Sequence, residues 1–119
     1  EKVEEEDGPP SPNLLARKSI CYKQLGDLGT AKELAETGVR FYPEYALLQV
    51  TLAEILAAQG DTQGSVDAWA AAHELNPFNP AVQEALALGY GVLEQPGLAA
   101  RHRKYGRILA TGGAETTGE

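Results

Sequence analysis

The sequence predicts an all-α protein built as a stack of three antiparallel helix pairs. Apolar residues recur three and four positions apart, and no alternating run or hairpin dipeptide signals a strand. Two independent anchors also share one spacing: Gly26-Asp27 returns as Gly60-Asp61, and Pro43 returns as Pro77, each 34 residues later. A fixed period of this size marks a supersecondary unit that cannot bury its apolar face alone and must stack on its neighbours.

The elements follow in order. Leu14, Leu15, Ile20, Tyr22 and Leu25 lie at helical spacing, and Gly26 stops that helix. Thr30-Ala31-Lys32-Glu33 reads as a capping box opening a second helix, which carries Leu34, Ala35, Val39 and Phe41. Pro43 ends the unit because proline cannot donate to a continuing helix. Residues 46–59 are rich in Ala and Leu and predict the third helix. Asp61 or Thr62 caps the fourth, where Val66, Trp69, Ala70 and His73 recur three and four apart. Pro77 and Pro80 punctuate again, and Pro80 suits the first turn of a helix over 81–93. Gln95-Pro96-Gly97 breaks that helix, and the last is expected over 98–109.

The 119 residues suit one domain. Residues 1–12 (EKVEEEDGPPSP) and 111–119 (TGGAETTGE) hold too little apolar surface to offset ordering entropy, so both read as disordered, flanking an ordered body over 13–110. The chain begins at Glu1 and holds no methionine, so it reads as a processed or excised segment. Cytoplasmic placement is slightly favoured, and a periplasmic or membrane-tethered one stays open if an N-terminal segment has been removed. A net charge of −7 argues against nucleic acid as the main partner, because that affinity rests on Lys and Arg neutralising phosphates. No apolar run is long enough to span a membrane.

The 34-residue helix–turn–helix period resembles the tetratricopeptide repeat (TPR) over roughly 12–110, with repeats at about 12–45, 46–79 and 80–111. The family's aromatic position falls on Tyr22, Leu56 and Tyr90. Its turn glycine falls on Gly26 and Gly60, and its small residues on Ala31, Ser65, Ala99 and on Gly38, Ala72, Gly106. The third unit departs: Glu94 stands for the turn glycine, Arg103 for the bulky residue and Thr111 for the closing proline, as in a capping helix with a polar outer face. HEAT and armadillo units are longer, at about 40–47 residues, and the RNA-binding pentatricopeptide arrays resemble this length but need basic surfaces.

The resemblance implies a right-handed superhelical stack, a TPR-like α-solenoid, whose concave groove is lined by the first helix of each pair. It implies a non-catalytic scaffold that binds a peptide or an amphipathic helix. Carried over by position, the groove residues are Asn13, Ala16, Arg17, Ile20 and Lys23 from the first repeat. The second gives Leu47, Val50, Thr51, Glu54 and Ala57, and the third Ala81, Glu84, Ala85 and Leu88. The TPR subtype that clamps a peptide's terminal carboxylate needs Lys, Asn and Arg where this chain has Ala16, Ile20, Thr51, Ala81 and Ala85, so that ligand class is not expected. An apolar trough of Ile20, Leu47, Val50 and Leu88 remains, with Glu54 and Glu84 placed to anchor a basic ligand residue. The alternative is a structural or oligomerisation segment of a larger protein, its groove filled by its own chain or another copy. Residues 42–100 hold acids but no Lys or Arg, whereas the last helix holds Arg101, Arg103, Lys104 and Arg107. Copies could therefore associate through an acidic body and a basic end.

Nothing in the sequence predicts catalysis, a metal site or a cofactor. His73 and His102 fall on different helices without ligand spacing and read as surface side chains, His102 solvated inside the basic cluster. Cys21 reads as a buried or half-buried structural thiol. Gly26-Asp27-Leu28-Gly29 lacks the lysine and the preceding strand of a phosphate-cradling loop. Trp69 and the repeat-spaced tyrosines read as core, with Tyr45 an exposed linker residue.

Overall fold

The computed structural model describes residues 10–111; of the stretches 1–12 and 111–119 expected to be disordered, 1–9 and 112–119 lie outside the described residues, whereas Ser11 caps the first helix and Pro12 opens it. Six helices follow in order: α1 (Pro12–Gln24), α2 (Leu28–Phe41), α3 (Ala46–Ala58), α4 (Thr62–Leu75), α5 (Pro80–Val92) and α6 (Pro96–Thr111). They pack as the pairs α1/α2, α3/α4 and α5/α6, with α2 joined to α3 and α4 to α5 across the repeat boundaries. Among the described residues there is no strand, and the architecture is a TPR-like α-solenoid.

Small residues set the approach within each pair. Ser19 faces Ala31, and its hydroxyl donates to the Ala31 carbonyl at 2.8 Å. One repeat later the roles reverse: Ser65 on the second helix donates to the Ala53 carbonyl on the first, again at 2.8 Å. In the third repeat the same two positions are Ala87 and Ala99, both buried. Between repeats, Leu48 of α3 packs with Leu15 and Ala16 of α1. It sits so close over Gly38 that a Cβ there would lie 2.6 Å from Leu48 Cδ2. Ile55, with Leu52 beside it, closes on Ala31 and Ala35 of the first repeat.

The turn inside each pair has one geometry with two chemistries. Gly26 and Gly60 adopt φ of +88° and +86°, and the next backbone N–H reaches back to close the helix end: Asp27 to Tyr22 O and Asp61 to Leu56 O, both at 2.9 Å. Asp27 Oδ1 then accepts from Thr30 N at 3.2 Å, and Asp61 Oδ1 from Gly64 N at 2.9 Å. Thr30 is therefore not the cap the sequence suggested. An aspartate directly after a left-handed glycine competes better, and α2 starts two residues earlier, at Leu28. The last helix likewise starts at Pro96 rather than Leu98, because a proline at the first helical position has no N–H to leave unsatisfied. At its other end Thr111, expected in the tail, closes α6 by donating to the Arg107 carbonyl at 2.9 Å.

In the third turn Glu94 occupies the glycine position at φ +60°. Gln95 N still donates to Tyr90 O at 2.8 Å, so the turn is retained against the preference of a side-chain-bearing residue. Glu94→Gly is expected to stabilise the fold by about 1 kcal/mol. Adding Gln95→Asp, which restores the cap of the first two turns, is expected to contribute about 1 kcal/mol more. Thermal unfolding of the single and double variants checks both, and an unchanged or lower midpoint contradicts the reading.

Tyr22 and Cys21 of α1 are exposed, not core, because no helix covers that face among the described residues. Tyr45 shows the reverse: it is half-buried against Leu48 rather than exposed.

Candidate functional site

The face carried by α1, α3 and α5 separates the predicted groove residues into columns. Positions 13, 47 and 81 are open in every repeat. Position 20 is half-buried as Ile20, and its counterparts Glu54 and Leu88 are exposed. Lys23, Val50 and Ala85 are half-buried; Arg17 and Ala57 are exposed. Ala16 and Thr51 are buried, at 0% and 1% exposure, and line no groove. The column 16/50/84 faces the following repeat: Ala16 packs on Leu48, and Val50 packs in the cluster of Val66, Ala72, Val82 and Leu86. Glu84 is exposed because no further repeat follows it among the described residues.

The carboxylate proposed to anchor a basic ligand residue already has a partner. Lys23 Nζ donates to Glu54 Oε1 at 2.6 Å, tying α1 to α3 across 31 residues of sequence. The helices of this face also carry exposed apolar side chains: Leu47 on α3, and on α5 Leu88 and Val92, which are 72% and 68% exposed. Leu88 and Val92 stand four residues apart on one helix face and follow Ala81 and Ala85 along it, so α5 presents a continuous apolar stripe.

The last repeat contains a polar cluster that sequence reasoning missed. Gln83 of α5 is 1% exposed. Its Nε2 donates to the Pro77 carbonyl at 3.1 Å and lies 2.7 Å from His73 Nδ1. Its Oε1 lies 2.7 Å from His102 Nδ1. A carbonyl only accepts, so the Pro77 contact fixes the amide orientation. His73 Nδ1 is then an unprotonated acceptor, and His102 Nδ1 carries the donated proton. His102 is 8% exposed and stacks on Tyr90 with ring centroids 5.5 Å apart. His73 meets it edge-on at 5.5 Å. His102 is thus buried rather than solvated. Burial first, then the charges of His73 and Arg101, hold its pKa below the ordinary 6.5. The 34-residue register carried the signal, because position 102 falls in the inward column of Leu34 and Ala68.

Among the described residues no group of three or more His, Cys, Asp and Glu is arranged to hold a metal ion. No helix among them is long and apolar enough to cross a membrane.

No family model matches the chain, and no curated protein matches it in sequence. Solved structures do match. A MamA structure aligns with a TM-score of 0.82 at 12% identity, covering 88% of this chain and 61% of its own. MamA of AMB-1 aligns with a TM-score of 0.80 at 21% identity, covering 93% and 61%. A chain of a CopN–Scc3 complex aligns with a TM-score of 0.79 at 12% identity, covering 83% and 58%. The chain spans about three fifths of the length of these three structures. The likeness shows the fold.

Proposed function

We propose that this chain is a non-catalytic protein-interaction module whose ligand, an amphipathic helix or an apolar peptide segment, lies across α1, α3 and α5. The observation that carries the reading is the exposed apolar stripe of Leu88 and Val92 on α5, with Leu47 exposed on α3 and the Lys23–Glu54 pair joining α1 to α3. Large aliphatic side chains left in water gain about 25 cal/mol for each Å² a partner covers. The paired ions give a ligand's polar edge both a donor and an acceptor. Glu54 already holds Lys23, so ligand charge would be read by the pair and not by a lone carboxylate. The likeness to a chain of the CopN–Scc3 complex, a structure of two proteins together, supports the same class of work.

A helical peptide selected against the full chain from a random library tests the proposal. Leu47→Asp combined with Val92→Asp is expected to weaken that peptide by tenfold or more, about 1.4 kcal/mol, with unfolding unchanged. Undiminished binding to the double variant would sink the groove reading. The second reading, an oligomerisation segment, is favoured by the exposed Arg101, Arg103 and Lys104 on α6 opposite an acidic body. It requires self-association that salt weakens, measured by light scattering.

A further inference from the structure

The internal register identifies a second docking surface, at the last of the described repeats. Each repeat receives the first helix of the next one in the same way. Leu48 of α3 rests on Gly38, and Leu52 and Ile55 rest on Ala31 and Ala35. Moved forward two repeats, that seat becomes Gly106, Ala99 and Arg103, with Glu84 and His102 in place of Ala16 and Leu34. All of these positions but the buried Ala99 line a cleft of about 680 Å³ between α5 and α6, with Leu88 beside them. The floor is open at backbone level: a Cβ on Gly106 would meet nothing closer than Gln83 Cβ at 3.5 Å.

We propose that this cleft seats an amphipathic α-helix of a partner protein, with an apolar residue over Gly106 and a carboxylate one turn later against Arg103. The geometry is that of α3 on the first repeat; the chemistry differs at one position. Inside the stack Leu52 meets Ala35, and in the second repeat the same site is Trp69. In the third repeat it is Arg103, exposed, with Arg101 and Lys104 adding to the positive field. A helix with leucine at that position would strip water from a guanidinium and return nothing, whereas Asp or Glu pairs with it.

The same register argues against a second copy as the occupant. The surface a copy would present in line with the repeats is its α1, where Leu14, Lys18 and Cys21 stand for Leu48, Leu52 and Ile55. Leu14 would suit Gly106, but Lys18 would be set on Arg103. Like charges brought together in a partly desolvated seat oppose the contact.

Two synthetic peptides copying residues 44–60 serve as probes of the full-length chain by fluorescence anisotropy: one carries Leu52→Glu and the other Leu52→Lys. The acidic peptide is expected to bind saturably, and the lysine peptide about tenfold more weakly. Arg103→Glu in the protein is expected to reverse that order. Gly106→Leu, whose side chain would fill the seat, is expected to remove binding while the helical circular dichroism is kept and the unfolding midpoint does not fall. Leu47→Asp, on the groove face, is expected to leave it unchanged, so failure here and failure of the groove reading are separable. Equal binding of the two peptides, binding of neither, an order that Arg103→Glu does not alter, or head-to-tail dimers in light scattering would each overturn the proposal.

Discussion

Leu48→Ala is expected to destabilise the protein by about 3–4 kcal/mol, because it removes the side chain that fastens the second repeat to the first. Leu48 is fully buried against Leu15 and Ala16, with Leu34, Val39, Tyr42 and Tyr45 around it. Packed on Gly38, whose lack of a side chain admits it, it leaves a hole when truncated that the two rigid helix pairs cannot collapse to fill. In a linear stack a repeat touches only its neighbours, so the loss falls on one interface. The first pair should therefore lose hydrogen-exchange protection before the rest. Leu25→Ala, at a site 79% exposed, is expected to change stability by less than about 0.5 kcal/mol. Gly38 supplies a sharper check. In the native background Gly38→Ala gains helix propensity of about 1 kcal/mol but pushes its methyl into Leu48 Cγ and Cδ. In the Leu48→Ala background the same methyl enters the vacated space. The two substitutions should couple favourably by about 1 kcal/mol or more in urea unfolding. Additive effects would mean that Leu48 and Gly38 do not form the fastening contact.

Much of the fold was legible because it is written three times. The recurrence of Gly-Asp and of Pro located the turns, and the all-α stack followed from helical spacing between them. Cap identity was less legible. Thr30-Ala31-Lys32-Glu33 satisfies a local pattern, but Asp27 three residues earlier holds the Thr30 N–H, since the left-handed Gly26 aims the chain for it. The groove residues were legible in part. Spacing places 16, 17 and 20 near one helix face, but which of them meets the next repeat depends on how the pairs cross. Ala16 and Thr51 consequently vanish into the interior, whereas Glu84, their neighbour in register, stays in water. Ion pairs such as Lys23–Glu54 join residues 31 apart, which no local spacing rule connects. His102 was misread because its flanks are basic; its own column in the register is apolar, and the column decides burial.

Gln83→Leu is expected to cost about 2–3 kcal/mol, since it leaves the His102 Nδ1 proton and the Pro77 carbonyl without their partner. The repeat architecture makes a stronger statement possible. Positions 83 and 102 correspond to Leu15 and Leu34, which belong to one apolar cluster in the first repeat. Replacing both polar residues by the pair the protein already uses elsewhere should therefore restore the part of the loss that falls on His102, because that donor and its acceptor disappear together, while the Pro77 carbonyl, at an exposed residue, turns to water. The pH dependence follows from the same contact. His102 is held below its ordinary pKa, so the unfolded chain binds more protons than the folded one at mildly acid pH. This contribution to stability is complete above the ordinary 6.5 and is lost as pH falls below it toward the depressed folded value. His73 and Arg101 both oppose a positive charge there, and Gln83 Oε1 accepts from the neutral ring as well as from the charged one, so nothing rescues the protonated form. The melting midpoint of the native chain should drop between pH 7.5 and pH 5.5, and in Gln83→Leu/His102→Leu that part of the drop should disappear. A double variant as unstable as the single one, or a native midpoint that rises on acidification, would show that the cluster does not act as this geometry requires.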